Sequence, residues 1–184
     1  MILRPSLLAI GAICLSTSVA LDIPADTPVS QLITSAQVNL AQGNPQDALT
    51  YFDAAIAKDP SNYLTVFKRG AAYLSIGRNA QATRDFDQVL ALKPGFEGAL
   101  MQRAKLRARA AEWNAAREDY IAAQKQGGQE LADLDEAEGA AKLAADAEKA
   151  QDWEGCVSQS GIAISIAGGA LELRQRRARC RFER

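Results

Sequence analysis

One pattern is written twice, as GNPQDALTYFDAAIAKDP at residues 43–60 and as GRNAQATRDFDQVLALKP at residues 77–94. Both segments open on glycine and close on proline, with an alanine and an aromatic residue between them. The matching pairs share a single offset in residue number, which is 34: Gly43 and Gly77, Ala48 and Ala82, Phe52 and Phe86, Pro60 and Pro94. Such regularity predicts a protein assembled from internal repeats.

A third copy follows in phase, since Ala116 and Tyr120 follow Ala82 and Phe86 at the same offset. A period of 34 on small, aromatic and proline positions is typical of the tetratricopeptide repeat, a helix–turn–helix unit. One unit cannot bury its own apolar face, so neighbouring units must stack to form a continuous core. The fold class predicted is all-α, a right-handed superhelical solenoid of antiparallel helix pairs.

The first three repeats are predicted at residues 29–62, 63–96 and 97–127. Thr27 and Pro28 favour a helix start as N-cap and first helical residue, and Asn44 and Pro45 favour another. Gly70 and Ala82 are small where the two helices of a unit should cross, and Ala104 takes the place of Gly70 in the third repeat.

The phase breaks after the third repeat, because the offset from Ala116 to Cys156 is 40 rather than 34. Residues 128–136 are predicted to begin a long connecting helix that caps the first three repeats. A fourth repeat is predicted at 137–170, with Asp152 and Trp153 starting its second helix. Residues 171–184 are predicted to be the first helix of an incomplete fifth repeat, as expected for a fragment of a longer protein.

The N-terminus has the pattern of a secretory signal peptide at residues 1–20, followed by a linker at 21–28. Arg4 precedes a short apolar run, and Ser18-Val19-Ala20 provides small residues for cleavage. Export leads to an oxidising compartment, where Cys156 and Cys180 have two alternatives. They are either buried free thiols or a disulfide-bonded pair.

Composition excludes much catalytic chemistry, because the 184 residues contain no histidine and no metal-spaced cluster. We therefore expect no enzyme, no metal and no cofactor. Residues 171–184 hold six arginines and two glutamates, a balance of +4 in a chain of net charge −1. A solvated helix face, or a face paired with the missing next repeat, is favoured there over a nucleic-acid site, and no membrane partner is expected after signal cleavage.

The first helix of each repeat should line the concave side of the solenoid, where a ligand could bind. Helical periodicity predicts a largely apolar groove flanked by Lys68, Arg69 and Arg103. Contiguous exposed apolar surface marks binding sites, although some of these residues could instead be inter-helix core. The predicted peptide-binding residues are Ile33, Gln37, Leu40, Leu64, Phe67, Leu74, Met101 and Lys105.

A different groove chemistry, a two-carboxylate clamp for acidic C-terminal peptides of cytosolic heat-shock chaperones, needs basic and amide side chains on these same helices. The corresponding positions hold Ile33, Gln37, Lys68, Gly98 and Gln102, of which only Lys68 is basic. The groove therefore favours apolar segments over an acidic tail.

These features resemble one family, the endoplasmic-reticulum-lumenal DnaJ/tetratricopeptide co-chaperones known as inhibitors of the interferon-induced protein kinase. The resemblance rests on residues 43–63, on Lys68 to Leu74, on Gln102 to Leu106, and on Leu173 to Cys180. It extends to the six-residue phase break, the helix before Asp152 and the signal peptide, and so covers nearly all of the mature chain.

The resemblance implies nine repeats in three subdomains and a C-terminal J domain that stimulates the ATPase of the lumenal chaperone BiP. It also implies that the first subdomain binds misfolded polypeptide through an apolar patch, and a link to the unfolded-protein response. No J domain lies in these residues, so stimulation of BiP is not carried over to them. Ala167 stands where the family places a half-cystine partner for Cys180.

The leading hypothesis is a non-enzymatic co-chaperone module that holds unfolded or misfolded polypeptides in the endoplasmic reticulum lumen and assists BiP-type chaperones. The alternative is a secreted or periplasmic repeat scaffold that binds one folded partner during complex assembly. In that alternative the protein is extracellular or periplasmic.

Overall fold

The computed structural model describes residues 22–123 and 128–184, where the chain forms helices joined by short turns. The predicted signal peptide and part of the turn after the third repeat lie outside these residues. The helices are α1 (Val29–Ala41), α2 (Pro45–Lys58), α3 (Tyr63–Ser75), α4 (Asn79–Leu92), α5 (Glu97–Arg109), α6 (Trp113–Ala122), α7 (Gln129–Lys149), α8 (Trp153–Ile166) and α9 (Leu171–Glu183).

Each helix packs mainly on its neighbours in the chain, with the densest contacts inside the pairs α1/α2, α3/α4, α5/α6, α7/α8 and α8/α9. Because helices that are distant in the chain contact each other little, the architecture is a stack of hairpins. The predicted all-α class is confirmed. No helix in the described ranges combines the length and apolar character needed to cross a membrane.

Two of the predicted helix caps differ in detail. α1 begins at Val29 with Pro28 in the N-cap position, one residue later than predicted, because the Thr27 hydroxyl donates to the Pro24 carbonyl instead of capping. Asn44 occupies the N-cap of α2 without a side-chain cap hydrogen bond. Asp152 does cap α8, where its carboxylate accepts from the Gly155 amide at 2.9 Å.

The turn inside each hairpin uses a left-handed residue. Gly43 and Gly77 have φ of 79° and 72°, and in the next two hairpins Ala111 and Gln151 adopt 63° and 58°. Glycine reaches this region without steric cost, whereas residues with a Cβ do not. The repeat geometry therefore persists in the third and fourth hairpins even where the sequence lacks its preferred residue.

The core follows the same period as the sequence. Phe52 and Phe86 are fully buried and Tyr120 nearly so. Gly70 is required where α3 crosses α4, because a Cβ at that position would lie 2.8 Å from Cε1 of Phe86. Ala104 and Ala116, at the crossing of α5 and α6, are fully buried too.

The long helix α7 packs against two different parts of the stack, the third hairpin and α8. Its first half places Leu134 in the cluster of Ala104, Ala116 and Tyr120, and so covers the third hairpin. Its second half carries buried Ala140 and Ala144, and Ala140 packs with Ala163 of α8. One helix thus covers the preceding repeat and opens the next, which accounts for the phase break.

Candidate peptide-binding groove

The predicted groove residues divide into exposed and half-buried positions. Gln37, Leu64 and Lys105 are exposed, and Leu64 has 46% of its surface accessible. The others are half-buried, and all of them except Ile33 also pack on the core clusters: Ile33, Leu40, Phe67, Leu74 and Met101. The predicted strip is therefore a set of partly covered side chains with one exposed leucine.

Phe67 belongs to the inter-helix packing more than to the surface. Its ring lies 5.2 Å from that of Phe96, edge to face, and 5.7 Å from that of Phe86. A Cβ at Gly98 would meet Phe67 at 3.2 Å, so this glycine allows the aromatic cluster to close. Removing Phe67 would therefore damage the fold as well as any ligand contact.

A cavity of about 490 Å³ opens between α5 and the C-terminal end of α8. Its apolar wall includes Leu74 of α3, Leu106 of α5 and Ile166 of α8, and Tyr120 lines it as well. Of the predicted groove residues, Leu74 and Lys105 line this cavity. A volume of this size is within the range of sites that enclose organic ligands or a few side chains of a peptide.

The charged groups around this cavity are all basic. Lys105 and Arg109 line it, Gln102 and Asn79 add amides, and the lining includes no carboxylate. Within the described part of the chain, neither Lys105 nor Arg109 has an ion-pair partner. The site thus combines an apolar wall with available hydrogen-bond donors and positive charge.

The loop after α8 closes one side of the cavity. The Gly169 amide donates to the Arg109 carbonyl at 2.9 Å, which ties this loop to the end of α5. A Cβ at Gly169 would lie 2.8 Å from that carbonyl oxygen, so a residue with a side chain does not fit without a shift. Gly168, next to it, lines the cavity.

Arg69, predicted to flank the groove, is bound within the fold. Its Nε and Nη2 donate to both oxygens of Asp85 at 2.9 and 2.7 Å, and its Nη1 donates to Asp53 at 2.8 Å. Asp85 is buried, whereas the Asp53 side chain is 56% exposed. Arg69 joins three successive helices rather than serving a ligand.

Arg103 repeats this arrangement one period later. Its Nε and Nη2 donate to buried Asp119 at 2.9 and 2.7 Å, and Nη1 donates to Asp87 at 2.7 Å. Arg107 adds a third bond to Asp119, also at 2.7 Å. The hydrogen bonds to Asp85 and Asp119 raise the pKa values of Arg69 and Arg103 above their ordinary value, so both arginines stay charged at any working pH.

Cys156 and Cys180 are joined by a disulfide in the structure, with Cα atoms 6.1 Å apart, which is the second of the two alternatives. Both residues are fully buried, and the bond connects α8 to α9. Ala167, where the family resemblance placed a half-cystine, is buried in the α7–α9 cluster instead. Among the described residues no group of acidic, histidine or cysteine side chains could hold a metal ion.

The predicted groove residues include two of the eleven residues that line the cavity, Leu74 and Lys105. Leu106 and Arg109 lie on the predicted concave helix, and periodicity could have included them. Tyr120 and Ile166 could not have been found in that way, because both come from second helices of hairpins. Their contribution to the cavity lining depends on how the fourth hairpin packs against the third.

The chain is similar in sequence to proteins named for a J domain or as DnaJ homologues. The tetratricopeptide repeat and J domain-containing co-chaperone DNJ1 of Fusarium oxysporum f. sp. lycopersici is 55% identical over 163 residues, covering 88% of this chain and 31% of that protein. DnaJ homolog subfamily C member 3 of Mus musculus is 29% identical over 150 residues, covering 77% of this chain and 30% of that protein. No family model matches the chain.

A solved structure of a TPR domain has a similar fold. The P58(IPK) TPR domain superposes with a TM-score of 0.73 at 28% identity, over 84% of this chain and 46% of that one. The chain spans about a third of the length of the curated relatives that it matches. It has the tetratricopeptide-repeat fold, and it is similar to the repeat-containing part of J-domain co-chaperones.

Proposed function

We propose that this chain is the client-binding module of a co-chaperone, and that it holds unfolded or misfolded polypeptide in its groove. The observation that carries the proposal is the cavity of about 490 Å³, with Leu74, Leu106 and Ile166 on its wall and no carboxylate in its lining. Unfolded chains expose apolar side chains and unpaired backbone carbonyls. The apolar wall can contact the exposed apolar side chains, and Lys105 and Arg109 can donate hydrogen bonds to the backbone carbonyls.

The similarity to J-domain co-chaperones supports this proposal over a folded-partner scaffold. The DNJ1 relative is named as a co-chaperone, and the solved structure that superposes on the chain is a TPR domain. In a longer protein with a J domain, the module would deliver clients to a BiP-type chaperone. A scaffold for one folded partner would bind that partner alone and ignore unfolded chains.

We place the protein in the endoplasmic reticulum lumen as part of the same proposal. The signal-peptide pattern at residues 1–20 supports entry to the secretory pathway, and the Cys156–Cys180 disulfide suits an oxidising compartment. A reporter fused after residue 26 should enter the lumen and lose the leader. A reporter that stays cytosolic with the leader attached would contradict this location.

The binding test uses the full chain without residues 1–20 and a permanently unfolded client, reduced and carboxymethylated lactalbumin. Leu74→Gln combined with Leu106→Gln keeps the side-chain volumes but makes the apolar wall polar. We expect client affinity to fall by about tenfold or more, because two leucine contacts of at least ~0.7 kcal/mol each are lost. Binding is measured by fluorescence anisotropy, with helicity and Tm recorded for each variant.

Leu143→Gln is the matched control, because Leu143 is 56% exposed on α7 and does not line the cavity. It should leave affinity unchanged. If the double variant stays folded and binds the client as tightly as the unmodified chain, the cavity is not the client site. If the unmodified chain ignores unfolded clients altogether, the co-chaperone proposal itself fails.

A further inference from the structure

The cavity beside α5 is bordered by two cations that form no ion pair within the described residues. Lys105 and Arg109 are four residues apart on α5, so their side chains leave the same face of the helix one turn apart. Both are exposed. Like charges at this spacing repel each other, and no carboxylate among the described lining residues offsets them. The cavity therefore carries an excess of positive charge.

The other two arginines of α5 show a different arrangement. Arg103 and Arg107 come two residues before the cavity cations and so lie on another face of the helix. Both donate to the buried carboxylate of Asp119, at distances between 2.7 and 2.9 Å. The fold thus supplies a carboxylate to one face of α5 and none to the cavity face. Lys105 and Arg109 are left available for an anion from outside the fold.

Uncharged donors and apolar groups lie beside these cations. Gln102 of α5 and Asn79 of α4 line the same cavity, and a side-chain amide can donate to a carboxylate oxygen. Leu106, which follows Lys105 directly, belongs to the apolar wall. A segment bound in the cavity would therefore meet basic groups and apolar surface side by side.

The basic surface is confined to one side of Arg109. A second cavity of about 360 Å³ adjoins the first, since Asn79, Leu106 and Arg109 line both. Glu112 lines the second cavity and not the first. A carboxylate of the ligand is therefore attracted toward Lys105 and repelled near Glu112. This difference places the favoured contact in the larger cavity.

We propose that the cavity selects unfolded segments in which an acidic side chain lies next to bulky apolar residues. The carboxylate accepts hydrogen bonds from Lys105 and Arg109. The adjacent apolar side chains contact the wall formed by Leu74, Leu106 and Ile166. Charge complementarity acts here mainly on the choice among clients. The inference rests on the proposed client-binding function and adds the chemistry of the preferred client.

This site differs from a two-carboxylate clamp in its residues and in its ligand. Of the five clamp positions, only Gln102 lines the cavity, and neither Lys105 nor Arg109 is among them. A clamp holds the C-terminal end of an acidic peptide, whereas this cavity holds an acidic side chain inside an apolar segment. The probes for the test therefore carry no terminal carboxylate.

Three short peptides test the selection, each acetylated at its N-terminus and amidated at its C-terminus. Leucines surround one variable residue, which is glutamate, glutamine or lysine. Affinity for the full chain without residues 1–20 is measured by the anisotropy of a neutral fluorophore on the peptide. We expect the glutamate peptide to bind about fivefold more tightly than the glutamine peptide, and the lysine peptide to bind most weakly. High salt should reduce these differences, because it screens exposed charges.

Two pairs of substitutions assign the selection to the cavity cations. Lys105→Gln combined with Arg109→Gln should abolish the preference for glutamate, and Lys105→Glu combined with Arg109→Glu should reverse it in favour of the lysine peptide. Lys93→Gln is the matched control, because Lys93 is exposed and does not line the cavity. It should keep the preference. Helicity and Tm are recorded for each variant.

Equal affinity for the glutamate and glutamine peptides would overturn this inference, and so would a preference that survives the double glutamine variant. In either case, weaker binding of all the peptides to the Leu74→Gln and Leu106→Gln variant would leave the client site in place without charge selection. If the chain binds none of the peptides and ignores unfolded lactalbumin as well, the proposed function fails and this inference fails with it.

Discussion

At the scale of single residues, the two arginine–aspartate clusters show how charge is used inside this repeat stack. Each arginine holds a buried aspartate of its own hairpin in a two-point contact and an exposed aspartate of the preceding hairpin in a single bond. Breaking a buried pair leaves an uncompensated charge, whereas an exposed pair contributes little because water screens it. Asp53 and Asp85, the two aspartates bound to Arg69, should therefore differ sharply in their contribution to the free energy of unfolding.

Asp85→Asn should lower the free energy of unfolding by about 3 kcal/mol, because it leaves the arginine without its buried counter-charge. Asp53→Asn should cost less than ~1 kcal/mol, since that side chain is largely in water. Urea unfolding followed by circular dichroism measures both variants. Similar losses at the two positions would show that the burial difference does not govern these pairs.

At the scale of helices, the disulfide fixes α9 to α8. One face of α9 packs on the neighbouring helices through Leu173 and is joined to α8 by the Cys156–Cys180 disulfide. Its other face carries exposed Leu171 and Phe182. A cross-link between cysteines 24 apart in the sequence reduces the freedom of the unfolded chain and so stabilises the helix pair.

Cys156→Ala combined with Cys180→Ala should lower the free energy of unfolding by about 3 kcal/mol, from the loop-closure estimate. The loss should concentrate in α9, which amide hydrogen exchange can resolve because exchange reports local opening. A matched double variant at exposed Ser158 and Arg174, both changed to Ala, should change stability little. If α9 amides stay as protected as those of α3 without the disulfide, packing alone holds the helix.

The sequence pattern predicted most of the elements, and the reasons are local. The start of α8 at Asp152 and Trp153, the long helix after the third repeat and the crossing positions at Gly70 and Ala104 all follow from caps, breakers and side-chain size. The repeat phase puts Ala111 at the position of the turn glycine, but the left-handed backbone at Ala111 and Gln151 does not follow from residue type, because neither residue is glycine. These turns form because the stacking of hairpins outweighs the local preference.

At the scale of the whole molecule, the cavity depends on how the fourth hairpin meets the third. One contact between the two hairpins is the bond between the Gly169 amide and the Arg109 carbonyl, which joins two residues far apart in the sequence. No short pattern encodes such a contact, and this is why Tyr120 and Ile166 were absent from the predicted groove. The predicted residues Leu74 and Lys105 were placed at the cavity because they lie on concave helices within the regular repeats.

Gly169→Ala should widen or strain this contact, because the new Cβ would fall 2.8 Å from a backbone oxygen that cannot move alone. We expect a loss of about 1–2 kcal/mol in stability and weaker client binding. Gly168→Ala is the control for the stability change alone, since its Cβ would lie at an acceptable 3.4 Å from the Ile164 carbonyl, whereas Gly168 itself lines the cavity. Equal behaviour of the two variants would mean that the Arg109 contact does not set the cavity.

Site-specific photo-cross-linking can show whether unfolded chains bind in the cavity beside α5. A photoreactive amino acid replaces exposed Lys105 at the cavity, or exposed Lys149 at the end of α7, and each protein is irradiated with unfolded lactalbumin. We expect strong capture from position 105, lost when excess client competes, and little capture from position 149. Equal capture from both positions, or capture from position 149 alone, would contradict binding in the cavity.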